Sequence, residues 1–106
     1  MNTRFYYNII DNSGEITGFL ATTRQRNGAQ YVATSVVPRS ANLAYNYAEI
    51  DLDTGECIGV ISSSREMTSA QYIPIPSYNE DYMEKYYLDG SWYEDAAGTI
   101  PWSPEG

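Results

Sequence analysis

The residues best suited to chemistry are the carboxylates of one short turn, Asp51-Leu52-Asp53-Thr54-Gly55-Glu56. Acids at alternate positions ahead of a glycine are how oxygen-rich loops offer ligands to calcium. Here the pattern runs no further toward an EF-hand loop. The turn has an earlier echo, Asn12-Ser13-Gly14-Glu15. An ungapped overlay of the two places Asp51 on Ile10 and Asp53 on Asn12, so the two copies share the glycine but not the ligands. A hairpin tip with no metal is therefore expected. Glu15 and Glu56 flank the turn glycines, but acid–base work by a carboxylate pair needs a dry cleft and a set separation. Nothing in the sequence supplies either. Cys57 is the only cysteine, which excludes an internal disulfide and suits a small buried residue. Histidine is absent, so a thiol or hydroxyl nucleophile lacks its usual base. No phosphate loop or dinucleotide fingerprint occurs. The chain reads as a non-enzyme, with no catalytic residue and no cofactor.

The elements that would hold these turns follow from the same overlay. Residues 6–32 laid over 47–73 give nine identities in twenty-seven positions. Tyr6 meets Tyr47, Gly14-Glu15 meets Gly55-Glu56, Gly18 meets Gly59, and Ala29-Gln30-Tyr31 meets Ala70-Gln71-Tyr72. This pattern reads as an internal repeat of a strand–turn–strand–loop–strand unit, spanning about 5–37 and 46–78. Aromatic and β-branched runs place strands at 4–10, 15–23 and 30–37, then at 45–52, 57–62 and 71–75. In 45–52 the side chains alternate, which predicts a half-buried strand. Pro74 and Pro76 put 71–75 at an edge or outside the sheet. Residues 77–85 suit one helical turn or a loop. Asp89-Gly90 between Tyr86-Tyr87-Leu88 and Ser91-Trp92-Tyr93 signals a hairpin over about 86–93. Residues 94–106 lack periodicity and read as an extended tail anchored by Trp102, whose removal should spare the fold. Gly14, Gly55 and Gly90 are the expected structural turns. The expectation is one all-β domain over 1–106: a small sheet, sandwich or open barrel of two duplicated units plus a C-terminal hairpin.

Composition limits the partners. Fourteen acids oppose six bases, for a net charge of -8. Phosphate binding needs clustered Lys and Arg, so nucleic acid is not an expected ligand. No apolar run approaches membrane-spanning length, and the N-terminus has no signal-peptide core, so no membrane partner is expected. The charge is uneven: residues 1–48 carry +2 and residues 49–106 carry -10. Such asymmetry suits head-to-tail contact between copies of a homo-oligomer.

Tyrosine is the outlier, with eleven in the chain. Tyr78, Tyr82, Tyr86, Tyr87, Trp92 and Tyr93, with Trp102, form the one cluster of binding character. Rings of this kind bury much area at low rotamer cost and anchor protein interfaces.

The stretch YAEIDLDTGECIGVIS followed later by KYYLDGSWYEDAAGTIPW resembles small β-rich proteins and appended modules of tailed bacteriophages. These pair a strand–[Asp/Asn]-[Ser/Thr]-Gly-Glu–strand hairpin with a later Tyr-Tyr-x-Asp-Gly hairpin. The resemblance covers about half of the chain. It implies a structural role in the virion (tail, fibre attachment or capsid decoration) with other virion proteins as partners, after synthesis in the host cytoplasm. Two other readings stay open on residues alone. One is an acidic phage-encoded inhibitor whose -10 half fills the basic groove of a host defence or nucleic-acid-binding protein. The other is a carbohydrate-binding module using exposed ring faces on a glycan.

Overall fold

The architecture, taken from a computed structural model, is described for residues 3–35 and 43–104. It is all-β. The strands are β1 (Phe5–Ile10), β2 (Ile16–Thr22), β3 (Tyr31–Ala33), β4 (Tyr45–Ile50), β5 (Cys57–Ser63), β6 (Tyr72–Pro74), β7 (Tyr86–Leu88) and β8 (Ser91–Tyr93). A 3-10 turn, Glu80–Tyr82, precedes β7. β1 to β6 form one antiparallel sheet in the order β3-β1-β2-β5-β4-β6, and β7 and β8 form a separate hairpin. Among the described residues no helix is long and apolar enough to cross a membrane.

Turn chemistry fixes the two main hairpins. The Asp11 carboxylate accepts the backbone N–H groups of Ser13 at 2.8 Å and Glu15 at 3.0 Å, and Gly14 takes φ +84°. The Asp51 carboxylate accepts the N–H of Asp53 at 2.8 Å, and Gly55 takes φ +80°. Asp89 (φ +50°) and Gly90 (φ +85°) make the tight turn of the third hairpin, as an Asp-Gly pair does between aromatic runs.

The halves β3-β1-β2 and β6-β4-β5 are related by an approximate two-fold axis at the middle of the sheet. Leu20 of β2 pairs with Ile61 of β5. On either side, Tyr7 pairs with Leu20 and Ala33, just as Tyr47 pairs with Ile61 and Pro74. The Tyr7 hydroxyl accepts the Arg26 N–H at 3.0 Å, and the Tyr47 hydroxyl accepts the Met67 N–H at 2.9 Å. These pairings correct the ungapped overlay. Tyr47 answers to Tyr7, not Tyr6, and Asp51 answers to Asp11, not Ile10. The second turn is one residue longer, and its Gly55 N–H reaches back four residues to the Asp51 carbonyl at 2.7 Å. The extra residue slides the first strand of that half by one place.

Each face of the sheet buries an apolar cluster. On one, Ala21, Ala48, Cys57 and Val60 pack against Ile75, Tyr82 and Met83 from the C-terminal segment. On the other, Tyr7, Leu20 and Ile61 are flanked by Tyr31, Tyr72 and Met67. β4 is therefore buried on both faces from Tyr47 to Ile50, contrary to the half-buried strand its alternation predicts. β3 is also shorter than the expected 30–37. Thr34 and Ser35 leave the strand, and positions 36 and 37 lie outside the described residues.

Residues 94–104 are not an extended tail. The Glu94 N–H donates to the Ile100 carbonyl at 2.8 Å, and the Trp102 N–H donates to the Trp92 carbonyl at 3.0 Å. The Asp95 carboxylate accepts the N–H groups of Thr99 at 2.9 Å and Ile100 at 3.0 Å, which turns the chain back on itself. Trp102 then packs against the sheet-covering cluster. Its removal would uncover that cluster, so a fold unharmed by trimming this segment is no longer expected.

Candidate interaction site

The C-terminal segment is joined to the sheet through the second turn. The Cys57 N–H donates to the Lys85 carbonyl at 2.7 Å, Glu84 returns a bond to the Cys57 carbonyl at 2.9 Å, and the Tyr87 N–H donates to the Gly55 carbonyl at 2.8 Å. A Cβ on Gly55 would lie 2.7 Å from the Tyr87 carbonyl oxygen. Gly55 is thus required twice, for its left-handed backbone and for this close approach. Gly14, its counterpart, has open space around it. Glu84 takes φ +70° to complete the junction, a strained setting for a non-glycine residue.

The aromatic residues singled out from the sequence fall into two groups around this junction. Tyr82 is 4% exposed and is the hub. Trp92 and Trp102 meet it edge-on, each with ring centroids 5.0 Å away, and Tyr87 lies 5.0 Å from Trp92. Such T-shaped contacts stabilise a core beyond its area burial. The Lys85 ammonium sits 5.3 Å from the centre of the Trp102 ring, a cation–π contact. Tyr86 and Tyr93 are half-buried and pair across the small hairpin. Tyr78 stands apart from the others. It meets Phe19 edge-on at 6.0 Å, and its hydroxyl donates to Glu80 at 2.9 Å.

Glu80 gathers a network that the sequence does not advertise. Besides Tyr78, its carboxylate accepts from Arg4 at 3.0 Å and from the Tyr6 hydroxyl at 3.1 Å. Burial, then the neighbouring carboxylate, raises the Tyr78 hydroxyl well above the ordinary tyrosine range, and Tyr6 shifts the same way. Arg4, Lys85 and Trp102, with Asp81 and Glu84, line an open groove of about 590 Å³ beside this network.

A second group missed by sequence reasoning lies on the other face. Arg26 forms an ion pair with Glu49, whose side chain is 4% exposed, and Gln71 donates to the other Glu49 oxygen at 3.2 Å. Arg26 also stacks 5.7 Å from the centre of the Tyr31 ring. Desolvation works against its charge, but Glu49 outweighs it and raises the Arg26 pKa. Gly59 makes room for the pair: a Cβ there would be 3.2 Å from a Glu49 oxygen and 3.0 Å from the Ala21 carbonyl. The signal that could have marked the pair is the recurrent second glycine, Gly18 and Gly59, which reports a tight approach at the centre of the sheet.

Several of the groups with chemical character are thus occupied in holding the fold. Burial pushes the Cys57 thiol up to about 12, far from a reactive thiolate. Asp51 is committed to its turn and to Arg24 at 3.8 Å. Among the described residues no group of three or more His, Cys, Asp or Glu side chains is placed to hold a metal ion. Among the described residues the surface exposes both carboxylates and large apolar side chains, the latter being Ile16, Val32, Tyr45, Leu52 and Ile100. No protein family, curated protein or solved structure matches the chain.

Proposed function

We propose that the chain is a non-enzymatic structural protein of a tailed phage, adhering to other virion proteins in the tail, at a fibre attachment or on the capsid. The observation that carries this reading is the division of labour among side chains. Arg4, Arg26, Glu49 and Glu80 are engaged in internal pairs and the thiol is buried, while several large apolar side chains remain outside. A surface of that kind suits adhesion rather than turnover. The resemblance of the Asp53-Thr54-Gly55-Glu56 and Tyr86–Gly90 hairpins to phage modules supplies the virion context. The Trp102 ring supports a protein partner over a glycan, because Lys85, Tyr82 and Trp92 already surround it. We also read the two halves as copies of one duplicated unit, a reading supported by the matched registers about the Leu20–Ile61 pair.

The test is composition of particles. Mass spectrometry of gradient-purified virions from cells making the chain should find it in fixed proportion to tail or capsid proteins. Recovery solely in the soluble fraction, bound to a host protein, would overturn the reading and favour the acidic inhibitor.

A further inference from the structure

The loops that follow β2 and β5 hold matching places in the two halves of the sheet. Tyr7 takes the Arg26 N–H in one, and Tyr47 takes the Met67 N–H in the other. Each loop then closes with the same bond, from the Tyr31 N–H to the Gly28 carbonyl at 3.3 Å and from the Tyr72 N–H to the Ser69 carbonyl at 3.0 Å. Between these fixed points the second half places Thr68-Ser69, and the first places Asn27-Gly28. Asparagine is among the chemically labile residues. Asn27 and Gly28 are both exposed, and Gly28 takes φ +136° with open space where a Cβ would stand. Among the described residues neither the Asn27 carboxamide nor the Gly28 N–H has a hydrogen-bond partner. The other described asparagines are held. Asn8 and Asn46 lie within β1 and β4. Ser13, which follows Asn12, donates its N–H to Asp11 at 2.8 Å. The Asn79 carboxamide accepts the Asp81 N–H at 2.9 Å.

We propose that Asn27-Gly28 is a self-modifying site, at which Asn27 turns into aspartate and isoaspartate. The Gly28 nitrogen attacks the side-chain carbonyl carbon of Asn27. The new C–N bond closes a succinimide ring, and the carboxamide nitrogen takes up the Gly28 proton and leaves as ammonia. Water then opens the ring: its oxygen adds to one carbonyl carbon, the C–N bond there breaks, and the nitrogen regains a proton. Opening at the side-chain carbonyl gives aspartate, and opening at the main-chain carbonyl gives isoaspartate. Gly28 permits the attack, because a side chain there would crowd the nitrogen and narrow its backbone range. The carboxyl group formed is ionised at neutral pH. It stands next in the chain to Arg26, which pairs with Glu49 and stacks on Tyr31. The chain therefore gains a negative charge with age, in a loop whose counterpart has no amide to lose. The site goes beyond the virion reading and does not depend on it.

Incubation of the full chain in warm, mildly alkaline buffer tests the proposal. A more acidic species should accumulate over days on isoelectric focusing, with ammonia released mole for mole, and peptide mapping should place isoaspartate at residue 27. The rate should rise with pH, because loss of the Gly28 amide proton makes the nucleophile. Asn27→Thr, which copies Thr68 of the second half, should abolish both the acidic species and the ammonia. Gly28→Ala should slow them by more than about tenfold. Asp89-Gly90 can close the same ring, but it expels water and changes no charge, so ammonia release separates the two sites. Ammonia from the urea-unfolded chain but none from the folded one would overturn the proposal. So would conversion that starts at another asparagine, or a Thr variant that turns acidic as fast as the parent chain.

Discussion

Arg26, from the loop after β2, forms a buried ion pair with Glu49 on β4, while the same two places across the two-fold axis are held by Met67 and Ile9. One architecture therefore carries an ionic and an apolar solution to the same packing problem. A buried pair often gains little over apolar residues of similar volume, yet loss of one member leaves a charge unpaired. Arg26→Met alone should cost about 3 kcal/mol by urea denaturation. Adding Glu49→Ile, which copies the other half, should recover most of that loss. A double variant as unstable as the single one would refute this account.

The second turn is a joint, whereas the first is a free tip. Gly55→Ala must push a methyl group into the Tyr87 carbonyl as well as hold a left-handed backbone, and should cost about 2–4 kcal/mol. Gly14→Ala meets open space and should cost only about 1 kcal/mol. Only Gly55→Ala should redshift the fluorescence of Trp92 and Trp102, since only it loosens the hairpin beneath them. Equal losses in the two variants would count against the joint.

Alkali should find the fold's weak side. Burial raises the Cys57 thiol from 9.0 to about 12, and Tyr6, Tyr72 and Tyr78 are raised from 10.0, also mainly by burial. All four favour their neutral forms in the folded state. Their contribution is fully present below the unfolded-state values and is lost as pH rises through the folded ones. Stability should hold up to about pH 9 and fall from there toward pH 12, and Cys57→Ala should soften the first part of that fall. Urea midpoints measured across this window would decide it; a midpoint independent of pH would contradict the assignment.

Ser62 sits at the centre of the sheet, 0% exposed, and its hydroxyl has no hydrogen-bond partner among the described residues. Burying an unpaired hydroxyl costs free energy, and alanine removes the oxygen while leaving a cavity of one small atom. Ser62→Ala should be neutral or stabilising by up to about 1 kcal/mol in thermal unfolding. A clear loss of stability would mean that the hydroxyl has a partner after all.

The features legible in the sequence were those encoded within a few residues. Gly14, Gly55 and Asp89-Gly90 announced their turns because left-handed backbone favours few residue types, and the strands between them followed from aromatic and β-branched runs. Long-range partnerships were hidden. Glu49 sits in an alternating Tyr-x-Tyr-x-Glu run that looks solvent-facing, and its partner Arg26 is 23 residues away with no local mark. Trp102 read as the anchor of a tail for the same reason. The Asp95 cap that turns residues 94–104 back is a single side chain, and hydrophobic periodicity does not register it. The one-residue difference between the two turns was invisible because Tyr6-Tyr7 and Tyr45-x-Tyr47 allow either alignment.

The meeting of β2 with β5 also orders events in time. The β1–β2 and β4–β5 hairpins each close a short loop and form on the order of microseconds. Bringing Leu20 to Ile61 closes a much longer one, and its entropy must be met before the pairing rewards it. The C-terminal segment docks on Ala21 from one half and Val60 from the other. Its landing place does not exist until that junction has formed, so the aromatic cap closes last and reports completion of the sheet.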